Sequence, residues 1–137
     1  MNFILEEMQM NSQEHWEQVY TAKAADQVSW FQPHLKTSLA LLERATSGNL
    51  SASIADIGAG ASTLVDDLLE RGYTNLTVLD ISQRALDVAR ARLGRAALFV
   101  RWVHADATEL VLPPCSLDVW HDRAVFHFLT TVEERRA

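Results

Sequence analysis

The chemistry that this sequence suggests first is ligand binding at a glycine turn. Gly58 and Gly60 follow residues 54–57, a mostly apolar run typical of a buried strand, and precede a helix predicted over residues 62–71. Glycine lacks a Cβ, so a ligand can lie against the backbone while the first amides of the helix point at it. Asp80 closes a second strand-like run about 20 residues later, where a carboxylate can accept both hydroxyls of a ribose. The spacing predicts a nucleoside-binding corner.

Asp56 distinguishes between the nucleotides that such a corner could bind. In dinucleotide-binding proteins the turn receives a pyrophosphate, which a carboxylate just ahead of it would repel. A third glycine is also usual at the position where this chain has Thr63. A ligand with a sulfonium and an ammonium group would instead be attracted by Asp56. The negative side chain therefore favours S-adenosylmethionine and leaves an NAD-dependent oxidoreductase as the weaker interpretation.

Two motifs resemble the class I S-adenosylmethionine-dependent methyltransferases. Residues 56–60, Asp-Ile-Gly-Ala-Gly, match the first family motif: an acid, any residue, Gly, any residue, Gly. Residues 121–129, His-Asp-Arg-Ala-Val-Phe-His-Phe-Leu, resemble a stretch that recurs in a branch of small, mostly bacterial members. Without the family, Phe126 and Phe128 would simply pack and the charged groups would pair. The resemblance implies an enzyme that binds S-adenosylmethionine and transfers its methyl group to a small-molecule or protein acceptor that the sequence does not identify.

The resemblance also implies roles for individual residues. His121 and Asp122 would lie beside the transferring methyl group, where His121 could act as a general base because an imidazole titrates near neutral pH. Asp106 and Ala107, which follow the third predicted strand, would bind the adenine of the cofactor. The residues that the resemblance implies for cofactor binding are Asp56, Gly58, Ala59, Gly60, Asp80, Ile81, Asp106, Ala107, Trp16, Tyr20 and Trp30.

An aromatic segment near the N-terminus has two interpretations. Trp16 and Tyr20 share one face of a helix predicted over residues 12–24, and Trp30 lies in an extended segment that Pro33 ends. The rings could simply cover one end of the sheet, or they could fold over the glycine turn as a lid. The succession His-Trp-Glu, Tyr and Ser-Trp resembles segments that border the cofactor in small class I methyltransferases, which favours the lid.

The periodicity of the remaining chain predicts an alternation of helices and strands. Helices are predicted over residues 34–45 and between 82 and 94, and strands over residues 76–80, 98–103 and 117–120. This alternation predicts the fold class α/β. With the resemblance, it implies a Rossmann-like parallel sheet of about four strands in the order 3-2-1-4, flanked by helices. Asp106 would then lie at the carboxyl end of the third strand, on the same rim as Gly58 and Asp80. The alternative for Asp106 is that it only turns the loop.

The resemblance covers the cofactor-binding half of a usual class I domain. Family members continue with three further strands, so the chain is expected to lack these strands and to be truncated at its C-terminal end. The fourth strand, with Val119 and Trp120, would then be an exposed edge that a second copy of the chain could cover as a homo-oligomer. Residues 1–11 are assigned to a tail and residues 12–137 to the incomplete methyltransferase domain. The alternative to an active enzyme is a truncated, non-catalytic cofactor-binding fragment that needs a partner chain.

Composition narrows the class of protein. The 137 residues, 48% of them hydrophobic, suit one domain. A net charge of −6 without a basic run argues against nucleic acid as the main partner, although a local basic groove is compatible with such a balance. Cys115 is the single cysteine, which excludes an internal disulfide, and the histidine spacing predicts no metal site. The single cysteine favours a reducing, cytoplasmic setting. No stretch approaches the roughly 20 apolar residues of a membrane span, so no membrane partner is expected.

Overall fold

The computed structural model describes residues 12–22, 31–123 and 125–136, apart from the side chain of His127. Trp30, which the sequence placed beside the cofactor, lies outside the described residues, as does the tail assigned to residues 1–11.

A four-stranded parallel sheet forms the centre of the structure. Its strands are β1 (Ile54–Ile57), β2 (Leu76–Asp80), β3 (Val100–His104) and β4 (Val119–Asp122). They lie in the order β3-β2-β1-β4, which confirms the predicted order and fold class. β1 pairs with β2 on one side and β4 on the other, so Asp56 lies opposite Val78 and His121. Because parallel strands end at the same edge, the register gathers the predicted site residues there.

Five α-helices accompany the sheet in the described part of the chain. They are α1 (Ser12–Ala22), α2 (Lys36–Thr46), α3 (Leu64–Glu70), α4 (Gln83–Leu93) and α5 (Val132–Arg136). Short 3₁₀ helices span Gly94–Phe99, Ala107–Glu109 and Phe126–Phe128. Ser82 caps α4, with its hydroxyl accepting from the Ala85 amide at 3.1 Å. None of the described helices has the length and apolar character that crossing a membrane requires.

Two apolar clusters hold the layers together. The larger cluster joins α2, α3 and α4 to the sheet and includes Leu39, Leu64 and Leu86. Successive side chains of a strand point to opposite faces, so Ala55 and Ile57 belong to a smaller cluster on the other face. Asp56 therefore points to the helix-covered face, where a charge is costly unless it is paired.

Several predicted boundaries differ from the structure, among them those of β3, α3 and β4. β3 begins at Val100, because Leu98 and Phe99 belong to the preceding 3₁₀ helix and are 85% and 72% exposed. An apolar run alone does not distinguish a strand from an exposed turn. α3 begins at Leu64, two residues after the predicted start, and Thr63 is its N-cap.

β4 is also displaced from its prediction. It covers Val119–Asp122, because the carboxylate of Asp118 accepts from the Ser53 amide at 2.8 Å and pairing with β1 begins at the next residue. His121 and Asp122 consequently lie inside the strand and not beyond it. Within the described ranges β4 pairs with β1 alone, and Trp120 is 49% exposed, as expected for an edge strand.

Candidate functional site

A cavity of about 250 Å³ lies at the carboxyl ends of the strands, against the glycine turn. It brings together ten of the predicted site residues: Trp16, Tyr20, Asp56, Gly58, Ala59, Asp80, Ile81, Asp106, Ala107 and His121. Two others, Gly60 and Asp122, do not line its wall. Most of the predicted cofactor-binding set therefore surrounds one space, although the residues come from distant parts of the chain.

The glycine turn needs glycine at two positions for two reasons. Gly58 and Gly60 have φ values of 62° and 56°, in the left-handed region that other residues avoid. A Cβ at Gly58 would lie 1.9 Å from Val125 Cγ2, and one at Gly60 would lie 2.0 Å from the hydroxyl of Tyr20. The turn is thus closely approached from the segment after β4 and from α1.

Asp80 ties the end of β2 to the glycine turn. Its Oδ2 accepts from the Gly60 amide at 2.7 Å, and its Oδ1 accepts from the Ser82 amide at 2.8 Å. Burial raises the pKa of the Asp80 carboxyl, and the two backbone hydrogen bonds oppose that rise. Each carboxylate oxygen has a second lone pair, so Asp80 can fix the turn and still accept ligand hydroxyls.

The buried Asp56 forms a chain of side chains with two half-buried residues. Its Oδ1 lies 2.8 Å from Nδ1 of His121, whose Nε2 lies 2.9 Å from the hydroxyl of Ser38 in the first turn of α2. Burial raises the pKa of the Asp56 carboxyl, while the hydrogen bond and the charge of His121 lower it. The Oδ2 atom is buried and has no hydrogen-bond partner among the described residues. Asp56 thus presents an unpaired oxygen next to the cavity that it lines.

The carboxylates of Asp106 and Asp122 both accept hydrogen bonds from residues that follow them closely in the chain. Asp106 Oδ1 accepts from the amide and hydroxyl of Thr108 at 2.9 and 2.7 Å, so the carboxylate turns the loop and also lines the cavity. The carboxylate of Asp122 accepts from the amides of Val125 and Phe126 at 2.8 and 3.1 Å. Asp122 therefore holds the segment whose Val125 side chain reaches Gly58, and its predicted catalytic role stays a prediction.

Helix α1 lies over the cavity in the manner of the predicted lid. Trp16 meets Phe128 edge to face with a centroid distance of 5.1 Å, and both rings line the cavity. Glu17 Oε1 accepts from the Gln83 amide at 2.5 Å, at the positive N-terminal end of α4. The carboxylate of Glu17 and the aromatic contact of Trp16 thus both hold α1 over the cavity.

Three positioning residues had no individual role in the prediction: Glu17, which belongs to the His-Trp-Glu pattern, Ser38 and Arg92. Arg92 of α4 donates to the carbonyl oxygens of Ala61 and Ser62 at 3.1 and 2.9 Å and pairs with Asp66 at 2.7 Å. It thereby fixes the chain just after the glycine turn. In the sequence, a basic residue such as Arg92 in the last turn of a helix indicates only that the helix ends there. No neighbouring residue indicates that its partner lies 26 residues away.

Comparison with known proteins identifies the family. The family model described as Methyltransferase domain matches residues 54–137. The mouse eEF1A lysine and N-terminal methyltransferase is 22% identical over 126 residues, which are 92% of this chain and 18% of the mouse protein.

Solved structures agree with this match at the level of the fold. CalS10, an amino pentose methyltransferase from Micromonospora echinaspora solved with S-adenosylmethionine, has a TM-score of 0.58 at 21% identity, over 89% of this chain and 47% of its own. A methyltransferase from Thiobacillus denitrificans solved with S-adenosyl-L-homocysteine has a TM-score of 0.60 at 23% identity, over 82% of this chain and 45% of its own. This chain thus spans about half the length of these structures and about a fifth of the mouse protein. By its match over more than half of its residues, the chain belongs to the class I S-adenosylmethionine-dependent methyltransferase domain family.

Proposed function

We propose that the chain binds S-adenosylmethionine in this cavity and takes part in methyl transfer to a small-molecule or protein acceptor. The observation that carries the proposal is the gathering of Asp56, Asp80 and Asp106 around one glycine turn, with Asp80 bonded to the Gly60 amide. Carboxylates at three strand ends suit a ligand with a ribose, an exocyclic amine and positive charge.

The surroundings of the buried Asp56 Oδ2 indicate that a cationic cofactor fits this site. A buried carboxylate oxygen without a partner destabilises a fold, and Asp56 Oδ2 is in this position among the described residues. A cationic ligand in the adjoining cavity would offset that cost. When bound, S-adenosylmethionine supplies a methyl group on a positively charged sulfur. A pyrophosphate ligand would instead add negative charge beside Asp56.

The remaining roles follow from the partners of each residue. Asp80 would hold the ribose hydroxyls through its free lone pairs, and Asp106 with Ala107 would border the adenine. His121 lines the cavity and would hold or move a proton at Nε2, provided that its bond to Ser38 is exchanged first. Asp122 would support the site by holding Val125 against the turn.

The acceptor is proposed from chemistry and relatives together. The mouse relative acts on a lysine and a protein N-terminus, and CalS10 acts on an amino pentose, as their names state. Both kinds of acceptor, protein and small molecule, therefore occur among the relatives. A net charge of −6 disfavours a polyanionic acceptor. Product mass spectrometry after incubation of a lysate with labelled S-adenosylmethionine would identify the acceptor class.

Isothermal titration tests the proposed cofactor directly. The folded protein is expected to bind S-adenosylmethionine and not NAD, and Asp80→Ala is expected to weaken binding by about 10- to 100-fold, because charged hydrogen bonds are lost. Asp87→Ala, which removes an exposed carboxylate of α4, is the matched control and should bind like the wild type. Tight NAD binding, or no S-adenosylmethionine binding by folded protein, would refute the proposal.

A partner-dependent fragment is the second candidate. It is favoured by the outer edge of β4, which has no pairing strand among the described residues. Trp120 is 49% exposed on that strand, and a second copy of the chain could cover it. Light scattering coupled to size-exclusion chromatography would then give a dimer or larger assembly, with activity that falls on dilution. A stable monomer that turns over substrate would contradict this candidate.

A further inference from the structure

His121 is held from both sides by groups of different chemistry. Nδ1 lies 2.8 Å from a carboxylate oxygen of Asp56, and Nε2 lies 2.9 Å from the hydroxyl of Ser38. The side chains of His121 and Asp56 are 12% and 6% exposed, so solvent screens the pair weakly. The ring is also a wall of the cavity. Its charge is therefore felt by whatever the cavity binds.

The partners restrict how the pair carries protons. An ionised Asp56 requires the tautomer with a proton on Nδ1, so Nε2 accepts from the Ser38 hydroxyl. One further proton can go to Nε2 or to the carboxyl group, and the Ser38 hydroxyl can turn to accept from a protonated Nε2. In either arrangement the charge of the pair changes from −1 to 0, because two coupled groups titrate as a unit.

We propose that the Asp56–His121 pair acts as a donor–product selector: its negative form favours positively charged S-adenosylmethionine over neutral S-adenosylhomocysteine, and one proton removes that preference. His121 is then a specificity-determining residue as well as a candidate base. The inference rests on the proposed function, because it requires that the methyl donor occupies this cavity. The two ligands differ in the methyl group and the positive charge of the sulfur, so their affinity ratio isolates the electrostatic effect.

The buried position of Asp56 supports the inference. Burial raises the pKa of this carboxyl, while the hydrogen bond and the charge of His121 oppose the rise, so the two groups are coupled. Asp122 also acts on Asp56, in the direction that raises its pKa.

Other charged groups surround the pair and must be separated from it. On α2, which packs against β4, Glu43 is paired with Arg71, while Lys36 and Arg44 are exposed. Asp56 is the ionisable group of β1, and Asp122 is the carboxylate of β4. Among the described residues, the other charged side chains on the cavity wall are those of Asp80, Asp106, Arg123 and Glu134. Any titration by these groups would persist after His121 is replaced, which gives the experiment its control.

The test is isothermal titration of both ligands from about pH 5.5 to 8, the range in which imidazoles titrate. For the wild type, the preference for S-adenosylmethionine should fall by about 10-fold towards acid pH, the effect of removing one nearby charge. His121→Asn keeps an amide donor for Asp56 but cannot take up the second proton. Its preference should stay at the alkaline wild-type value, or change only at lower pH.

His34→Asn is the matched control, because His34 also bonds an aspartate, Asp67 at 3.0 Å, away from the cavity wall. It should keep the wild-type pH profile. If His121→Asn does not fold, Ser38→Asp offers a second test, since an added carboxylate at Nε2 should move the midpoint to higher pH. A proton NMR titration of the His121 ring without ligand measures the same midpoint independently.

The possible outcomes separate the two proposals. A wild-type ratio that does not vary with pH, or a His121→Asn profile identical to the wild type, would overturn the selector while S-adenosylmethionine binding still stands. Failure of both ligands to bind at every pH would overturn the proposed function, and the selector with it. A ratio that falls with acid in the wild type and in His34→Asn, but not in His121→Asn, supports both.

Discussion

On the sheet side of the cavity, buried and half-buried residues hold the polar groups, whereas the opposite side consists of exposed and half-buried residues. We call the first side the cradle, residues 56–64, 79–82 and 105–108, and the second the cover, residues 12–22 and 125–136. The cradle contains Asp80 with two backbone donors and Leu64 at 0% exposure. None of the described side chains of the cover is buried.

This difference in burial indicates that the cradle contributes stability and that the cover allows the ligand to exchange. Segments with little buried apolar area open at low free-energy cost, while a packed sheet opens only with the whole fold. The cover can therefore move to admit a ligand, and the cradle keeps its geometry. Glu17 and the Trp16–Phe128 contact set how firmly the cover closes.

The largest expected effect is a loss of stability when a buried side chain of the cradle is removed. Leu64→Ala removes a fully buried side chain of α3, and a cavity of that kind typically costs about 2–5 kcal/mol of unfolding free energy. Leu41→Ala on α2, where the side chain is 59% exposed, should change stability by less than about 0.5 kcal/mol. Urea denaturation followed by circular dichroism measures both. Equal losses would mean that the cradle is not the packed side of the cavity.

A smaller effect is expected from the pH dependence of stability that the buried carboxyl of Asp80 causes. Burial raises the pKa of Asp80 above 3.8, so the folded protein holds that proton more tightly than the unfolded chain. The resulting stability is complete below pH 3.8 and is lost as the pH rises through the raised pKa. Asp80→Asn has no such contribution. The wild type should gain about 1 kcal/mol relative to Asp80→Asn when the pH falls from about 7 to about 4.

The pH dependence of Asp80 has its own control. Asp87→Asn changes an exposed carboxylate of α4, and the difference between this variant and the wild type should not vary with pH. Urea midpoints at the two pH values give the comparison. A constant difference between the wild type and Asp80→Asn would show that the burial of this carboxyl has no energetic weight.

The smallest expected effect concerns the cover. Glu17→Gln removes the charge at the N-terminus of α4, where a carboxylate contributes about 0.3–1 kcal/mol. We expect bound S-adenosylmethionine to dissociate about 2- to 5-fold faster, with the unfolding free energy changed by less than about 1 kcal/mol. Stopped-flow displacement measures the rate. Glu70→Gln, an exposed change in α3, should leave it unaltered. A large loss of stability in Glu17→Gln would erase the distinction between cover and cradle.

The local sequence pattern was enough to predict the part of the site that one βαβ unit contains. The glycine turn, the strand that precedes it and Asp80 lie within one βαβ unit, so their arrangement depends on short-range periodicity and on the common direction of parallel strands. Boundaries were less well predicted. The apolar pair Leu98 and Phe99 has the composition of a strand but lies in an exposed 3₁₀ helix.

The sequence by itself determined the succession of helices and strands and the carboxylates near the strand ends, because hydrophobic period and turn chemistry act over a few residues. Tertiary structure alone decided which groups those carboxylates meet. His121 joins Asp56 across 65 residues and Ser38 across 83, and Glu17 reaches the α4 amides across 66. Such pairings depend on strand register and helix docking, which bring side chains within 3 Å only after the layers have packed.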